Sequence, residues 1–76
     1  MAENRGTKNI VGDKLREYRE NIGASQKSIV ELLNGMGHKM TASTISKIET
    51  GHRGISDVEL KSFAMIFNCS VSDFFV

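Results

Sequence analysis

The short segment 41–51 carries the side chains whose types and spacing best suit a specific chemistry, which is contact with a polyanion. At helical spacing, Ile45 and Ile48 fall on one face, while the opposite face carries short side chains, hydroxyls, one cation and no acid. The residues of that outer face are Ala42, Ser43, Ser46 and Lys47. A face of this kind can press into a DNA major groove without repelling phosphate.

No other group of side chains predicts catalysis or metal binding. The chain has no nucleophile beside a base, no phosphate-cradling glycine loop and no paired carboxylates with a cleft. His38 and His52 have no partners at zinc-ligand spacing and are interpreted as solvent-facing loop residues, and Cys69 as a buried small residue. We therefore predict no enzymatic activity, no metal and no cofactor.

Start and stop signals define the helix that would position the outer face. Thr41 can cap the helix start with its side-chain oxygen, and Gly51 can adopt the left-handed conformation that ends it. Ser25 predicts the start of a preceding helix, and Ser56 with Glu59 predicts a capping box that starts a following one. The segment thus lies between two other predicted helices.

Apolar residues at helical spacing predict how the helices pack. The first stripe is spaced by four, three and four residues and consists of Val11, Leu15, Tyr18 and Ile22. The predicted core is Leu15, Tyr18, Ile29, Val30, Leu33, Ile45, Ile48, Leu60, Phe63 and Phe67. We therefore predict an all-α fold, a compact bundle of four to five short helices over residues 10–76. The polar residues 1–9 are predicted to form a flexible N-terminal arm.

Composition restricts the partners and the compartment. The net charge is only +1, but residues 1–53 hold nine Lys and Arg against six Asp and Glu, whereas residues 54–76 hold one against three. This asymmetry fits either chance in a short chain or a basic face opposite an acidic side. A single cysteine fits a reducing cytoplasm, and the sequence predicts neither a membrane span nor a secretion signal.

Three motifs in order along the chain resemble those of a known family. They are Gly23-Ala24-Ser25-Gln26, then Ser43-Thr44-Ile45-Ser46-Lys47-Ile48-Glu49-Thr50-Gly51, then Glu59-Leu60 with Phe63-Ala64. Over roughly residues 10–75 the chain resembles the XRE-like helix-turn-helix domain of Cro and the phage repressors. The resemblance implies a bundle of five helices whose second and third form a DNA-binding unit, with the third in the major groove.

The resemblance also assigns roles to single residues. Ala42, Ser43 and Lys47 match positions that usually reach base edges, and Ser46 shares their face. Arg19 and Glu49 match a pair that usually forms a structural salt bridge between the first and third helices. The predicted contacts to the DNA backbone are Gln26, Lys27, Thr41, Thr44, Thr50 and Arg53.

Two departures from the family pattern bear on this assignment. The usual turn between the second and third helices has about three or four residues, whereas here Asn34 to Met40 is longer and contains two glycines. In addition, the methyl group of Ala42 can contact thymine but cannot form a hydrogen bond with a base.

The sequence therefore predicts a sequence-specific DNA-binding transcriptional regulator, most simply a repressor. The alternative is a protein-interaction module, or an antitoxin-type regulator, that uses the same fold to hold a protein partner. We further predict a homodimer on DNA through the apolar cluster Phe74, Phe75 and Val76, unless Phe74 closes the core and leaves only the other two free.

Overall fold

The computed structural model describes the backbone of residues 2–75 and the side chains of residues 11–75. Its elements are four α-helices and one C-terminal 3-10 helix. They are α1 (Ala2–Asn21), α2 (Gln26–Gly35), α3 (Ala42–Glu49), α4 (Asp57–Phe67) and the 3-10 helix (Val71–Phe75). No strand lies within the described backbone, and the predicted all-α fold is confirmed.

Helix α1 begins earlier than the sequence predicts. The predicted arm covers residues 1–9, but the backbone is helical from Ala2. The segment contains no proline and only one glycine, Gly6, so nothing in it stops the helix from continuing toward the N-terminus. The flexibility of this segment in solution stays a prediction.

Hydroxyl caps start the last three α-helices at the predicted residues. The side-chain oxygens of Ser25, Thr41 and Ser56 accept hydrogen bonds from backbone N–H groups three residues on, at 3.0, 3.2 and 3.2 Å. Left-handed residues then turn the chain after each α-helix, and they are Gly23, Gly37, Gly51 and Asn68. Local sequence therefore defines these helix boundaries, as predicted for Gly51.

The predicted apolar stripes meet in one core, to which every helix contributes. Its largest fully buried side chains are Phe63, Phe74, Leu15, Ile29, Leu33 and Ile45. Phe74 lies edge-on to Tyr18 with ring centroids 5.5 Å apart, and it closes the core. Ile22, predicted in the first stripe, is instead 57% exposed, because α1 ends at Asn21 and the chain turns away.

Side chains hold the long turn between α2 and α3 in place. Asn34 Oδ1 accepts a hydrogen bond from Met40 N at 2.9 Å, and Asn34 Nδ2 donates to Met40 O at 3.3 Å. His38 Nε2 lies 2.8 Å from the hydroxyl of Ser62, a buried residue of α4. The interpretation of His38 as solvent-facing is therefore wrong, because the turn folds back onto α4 and fixes the start of α3.

Helix α1 approaches the end of α3 closely at Gly12. A Cβ atom at this position would overlap the carbonyl oxygen of Ile48 and lie 3.1 Å from that of Glu49. Only glycine permits this approach, which sets the distance between α1 and the C-terminal turn of α3.

Candidate nucleic-acid interface

The outer face of α3 is accessible and carries no acidic side chain. Ala42, Ser43 and Lys47 are exposed, and Ser46 is half-buried. The only acid of this helix, Glu49, faces inward and is 6% exposed. The outer face thus offers a methyl group, two hydroxyls and an ammonium group, which can contact thymine methyls, polar base edges and phosphates.

The two threonines at the start of α3 bind each other. Thr41 N donates to Thr44 Oγ1 at 3.4 Å, and the two hydroxyl oxygens lie 3.1 Å apart. With the N-cap bond, these contacts make a reciprocal capping box. Thr41 is exposed and Thr44 half-buried, so Thr41 is the more accessible hydroxyl at this end of the helix.

A buried ion pair joins α1 to the end of α3. Arg19 Nε donates to Glu49 Oε2 at 2.7 Å, and Arg19 Nη2 donates to Glu49 Oε1 at 3.2 Å. Arg19 Nη1 also donates to Ala24 O at 2.9 Å. The hydrogen bond to Glu49 raises the pKa of Arg19 above its ordinary value, against the opposing effect of burial. This two-point contact fixes the orientation of α3 on α1.

Gln26 also contacts this ion pair, and the sequence alone does not predict this contact. Gln26 Nε2 donates to Glu49 Oε1 at 3.1 Å, and this contact links the first residue of α2 to the last residue of α3. One hydrogen of the Gln26 amide is used in this way, and the other has no acceptor among the described residues. Gln26 therefore helps to hold α2 against α3, whatever contact it makes outside the protein.

The loop after α3 folds back onto the end of that helix. Lys47 O accepts hydrogen bonds from the backbone N–H groups of His52 at 2.8 Å and Arg53 at 3.1 Å. Thr50 Oγ1 donates to Ser46 O at 2.9 Å and lies 2.8 Å from His52 Nδ1. The loop therefore places the predicted contacts Thr50 and Arg53 together at the C-terminal end of α3.

A second ion pair holds the side chain of Arg53. Arg53 Nη1 and Nη2 donate to Glu59 Oε1 and Oε2 at 3.1 and 3.0 Å, and Nη1 also donates to Gly54 O at 2.9 Å. Arg53 is 38% exposed and Glu59 is 15% exposed. The hydrogen bonds between Arg53 and Glu59 raise the pKa of Arg53 above its ordinary value. They are also the main reason that the pKa of Glu59 lies below its ordinary value.

A family model described as a helix-turn-helix domain matches residues 10–73. The chain belongs to the helix-turn-helix family. Searches of curated proteins and of solved structures found no match. Membership in this family confirms the predicted resemblance and indicates a DNA-binding regulator.

The helix-turn-helix unit consists of α2, the turn of residues 36–41 and α3. Its cations reach solvent at both helices, because Lys27 is exposed in the first turn of α2 and Lys47 on α3. The other cation among the predicted contacts to the DNA backbone, Arg53, lies in the loop that follows α3. The predicted dimer contact is separate and needs a correction, since Phe74 is 0% exposed and lies in the core.

Other kinds of site are not found within the described residues. No cluster of His, Cys, Asp and Glu side chains there could hold a metal ion, and there is no ligand-sized cavity. Burial raises the pKa of the Cys69 thiol. None of the helices in this part of the chain is long and apolar enough to span a membrane.

Proposed function

We propose that this chain binds double-stranded DNA in a sequence-specific manner and acts as a transcriptional regulator, with α3 in the major groove. The observation that carries the proposal is the acid-free outer face of α3, whose only carboxylate, Glu49, is turned inward to Arg19. Because the pair fixes the orientation of α3, the outer side chains meet base edges in a defined register, as discrimination between bases requires.

The residues of the interface divide by the part of DNA that they would contact. Base edges are read by the outer face of α3, which consists of Ala42, Ser43, Ser46 and Lys47. The DNA backbone is bound at the start of α2, at the start of α3 and just after α3, by Gln26, Lys27, Thr41, Thr44, Thr50 and Arg53. Backbone contacts set the register of α3 in the groove, and base contacts supply the specificity.

We further propose that two copies bind one symmetric DNA site. A single recognition helix reads few base pairs, whereas two copies related by a two-fold axis read two half-sites about one helical turn apart. Phe75 is the accessible member of the predicted dimer contact, since it is 58% exposed. Val76 lies outside the described residues.

The exposed Phe75 equally favours a second candidate function, in which the fold holds a protein partner as an antitoxin-type regulator does.

For the DNA-bound form, the resemblance to phage repressors favours repression. The cytoplasm, where a lone cysteine stays reduced, is the compartment that we propose.

Selection of bound sequences from a pool of random duplex DNA tests the proposed function. We expect enrichment of a palindrome with half-sites about one helical turn apart. Recovery of no preferred sequence would contradict sequence-specific binding. Recovery of a single half-site, with one protein bound per symmetric duplex at saturation, would contradict the dimer alone.

Salt dependence gives an independent test of the same interface. Lys27, Lys47 and Arg53 would displace counterions from phosphates, so the affinity should fall steeply as salt increases. A triple variant with these residues replaced by Ala should show a shallower dependence. An affinity that does not change between low and moderate salt would contradict the proposal.

A further inference from the structure

An acidic side chain lies beside the proposed interface, where a negative charge would be expected to repel DNA. Glu59 Oε1 accepts a hydrogen bond from Ser56 N at 3.0 Å, as the capping box of α4 requires. Glutamine serves equally well in such a box, so the cap needs neither the charge nor the second oxygen. The two bonds from Arg53 to this carboxylate are therefore a separate feature of the site.

The carboxylate holds one end of the Arg53 guanidinium and leaves its side edge open. Nη1 donates both of its hydrogens, one to Glu59 Oε1 and one to Gly54 O. Nη2 donates one hydrogen to Glu59 Oε2. The Nε hydrogen and the second Nη2 hydrogen have no partner among the described residues. These two hydrogens lie side by side and form the fork that can bind two phosphate oxygens.

We propose that Glu59 is a positioning residue, which holds Arg53 with its open Nε–Nη2 edge ready to bind a DNA phosphate. The inference rests on the proposed function. Because Arg53 N is bonded to Lys47 O at 3.1 Å, the backbone of Arg53 lies at the end of α3, and Glu59 and Gly54 hold the guanidinium beyond it. Fixing a long side chain before binding removes an entropy loss that would otherwise lower the affinity. The charge of Glu59 repels phosphate weakly, since Arg53 already neutralises it.

The Glu59→Gln variant separates positioning from simple charge. If only charge mattered, removing an acid from the interface would strengthen binding. Positioning predicts the opposite result, a loss of affinity of about two- to tenfold, because the variant must immobilise the Arg53 side chain on binding DNA. Asp57→Asn is the matched control, because it removes the same charge from an exposed acid in the same helical turn. It should leave the affinity unchanged or slightly higher.

A second variant does not touch the α4 cap. Arg53→Lys keeps the charge and removes the fork, so it should weaken binding about as much as Glu59→Gln does.

In the Arg53→Ala background, Glu59→Gln should no longer weaken binding. A loss of the same size in that background would show that Glu59 acts by another route and would overturn the inference.

The affinities are measured by fluorescence anisotropy at low salt on a duplex of about two helical turns, at a temperature where thermal unfolding shows every variant to be folded. A wild-type chain that binds no duplex overturns both the proposed function and this inference. A wild-type chain that binds, with Glu59→Gln equal or tighter, overturns the inference alone.

Discussion

The two arginine–glutamate pairs of this chain use the same chemistry in opposite ways. Arg19 donates from Nε and Nη2 to Glu49 and from Nη1 to Ala24 O. Its Nε–Nη2 edge, which in a free arginine could bind a phosphate, is therefore used inside the protein. Arg53 gives Nη1 and Nη2 to Glu59 and keeps the Nε edge open. The first pair is nearly buried and holds helices together, whereas the second is more exposed and leaves the Nε–Nη2 edge open to a partner.

Burial separates the two pairs energetically as well. The side chains of Arg19 and Glu49 are 13% and 6% exposed, whereas those of Arg53 and Glu59 are 38% and 15% exposed, so that solvent reaches the second pair through its arginine. Removing one partner from a buried pair leaves an uncompensated charge out of water, which is strongly destabilising. Removing one partner from an accessible pair lets water replace it. Stability should therefore depend on the first pair, and DNA affinity on the second.

The largest expected effect comes from breaking the buried pair. Arg19→Met or Glu49→Gln should each lower the free energy of unfolding by on the order of 3 kcal/mol. The double variant should lose clearly less than the sum, because the two side chains interact directly. Urea denaturation of the four proteins measures this coupling.

The same cycle on Arg53 and Glu59 is the matched comparison. Solvent screens this pair, so each substitution should cost less than about 1 kcal/mol. Additive losses at Arg19 and Glu49, or an equally large coupling at Arg53 and Glu59, would contradict the distinction between the two pairs.

The next effect should come from Gly12, which lies against the C-terminal turn of α3. Gly12→Ala places a methyl group against Ile48 O and should destabilise the fold by about 1–3 kcal/mol, despite the better helix propensity of alanine. Gly35→Ala is the control, since Gly35 ends α2 with nothing within 4 Å of its added Cβ. That variant should gain up to about 1 kcal/mol. Thermal unfolding distinguishes the two, and a stabilised Gly12→Ala would mean that α1 and α3 are not tightly packed.

Gly12 also shows where prediction from the sequence ends. Helix starts at Ser25, Thr41 and Ser56 are predictable because a cap involves residues three apart, and most of the core follows from helical periodicity. The closeness of Gly12 to Ile48 depends on how two distant helices cross, and no local pattern encodes it.

The same limit applies to the candidate site. The outer face of α3 follows from helical spacing, and the family resemblance predicts the Arg19–Glu49 pair. The bonds of Gln26 to Glu49 and of His38 to Ser62 join residues far apart in sequence, and they appear only when the helices are assembled. At the C-terminus, apolar character alone cannot tell which adjacent phenylalanine enters the core.

A moderate effect on binding should separate base contacts from backbone contacts. Lys47→Ala should relax sequence preference, with a change of about 1–3 kcal/mol between preferred and altered sites. Gln26→Ala should weaken binding to all duplexes alike and also lower stability by about 1 kcal/mol, through the lost bond to Glu49. Binding to a panel of single-base variants measures both. If Gln26→Ala changed only the preferred sequence, the assignment of α2 to the backbone and α3 to the bases would be wrong.

The smallest expected effect is the pH dependence of the accessible pair. Hydrogen bonds from Arg53 first, and then from Ser56 N, hold the pKa of Glu59 below its ordinary value of 4.5, although burial opposes them. A carboxyl group whose pKa is lower in the folded state stabilises the fold above its unfolded pKa, and this contribution is lost as the pH falls through the folded value.

The stability difference between the wild type and Glu59→Gln should therefore be constant near neutral pH and shrink as the pH falls below 4.5. Its size should stay below about 1 kcal/mol, because solvent reaches Arg53. Urea denaturation over this pH range measures the difference, with Asp57→Asn as the baseline for losing a carboxylate from the same helical turn. A difference that stays constant down to acid pH would mean that the ionised form of Glu59 gains nothing from Arg53. The second pair would then lack the charge-assisted contact that distinguishes a held guanidinium from a freely moving one.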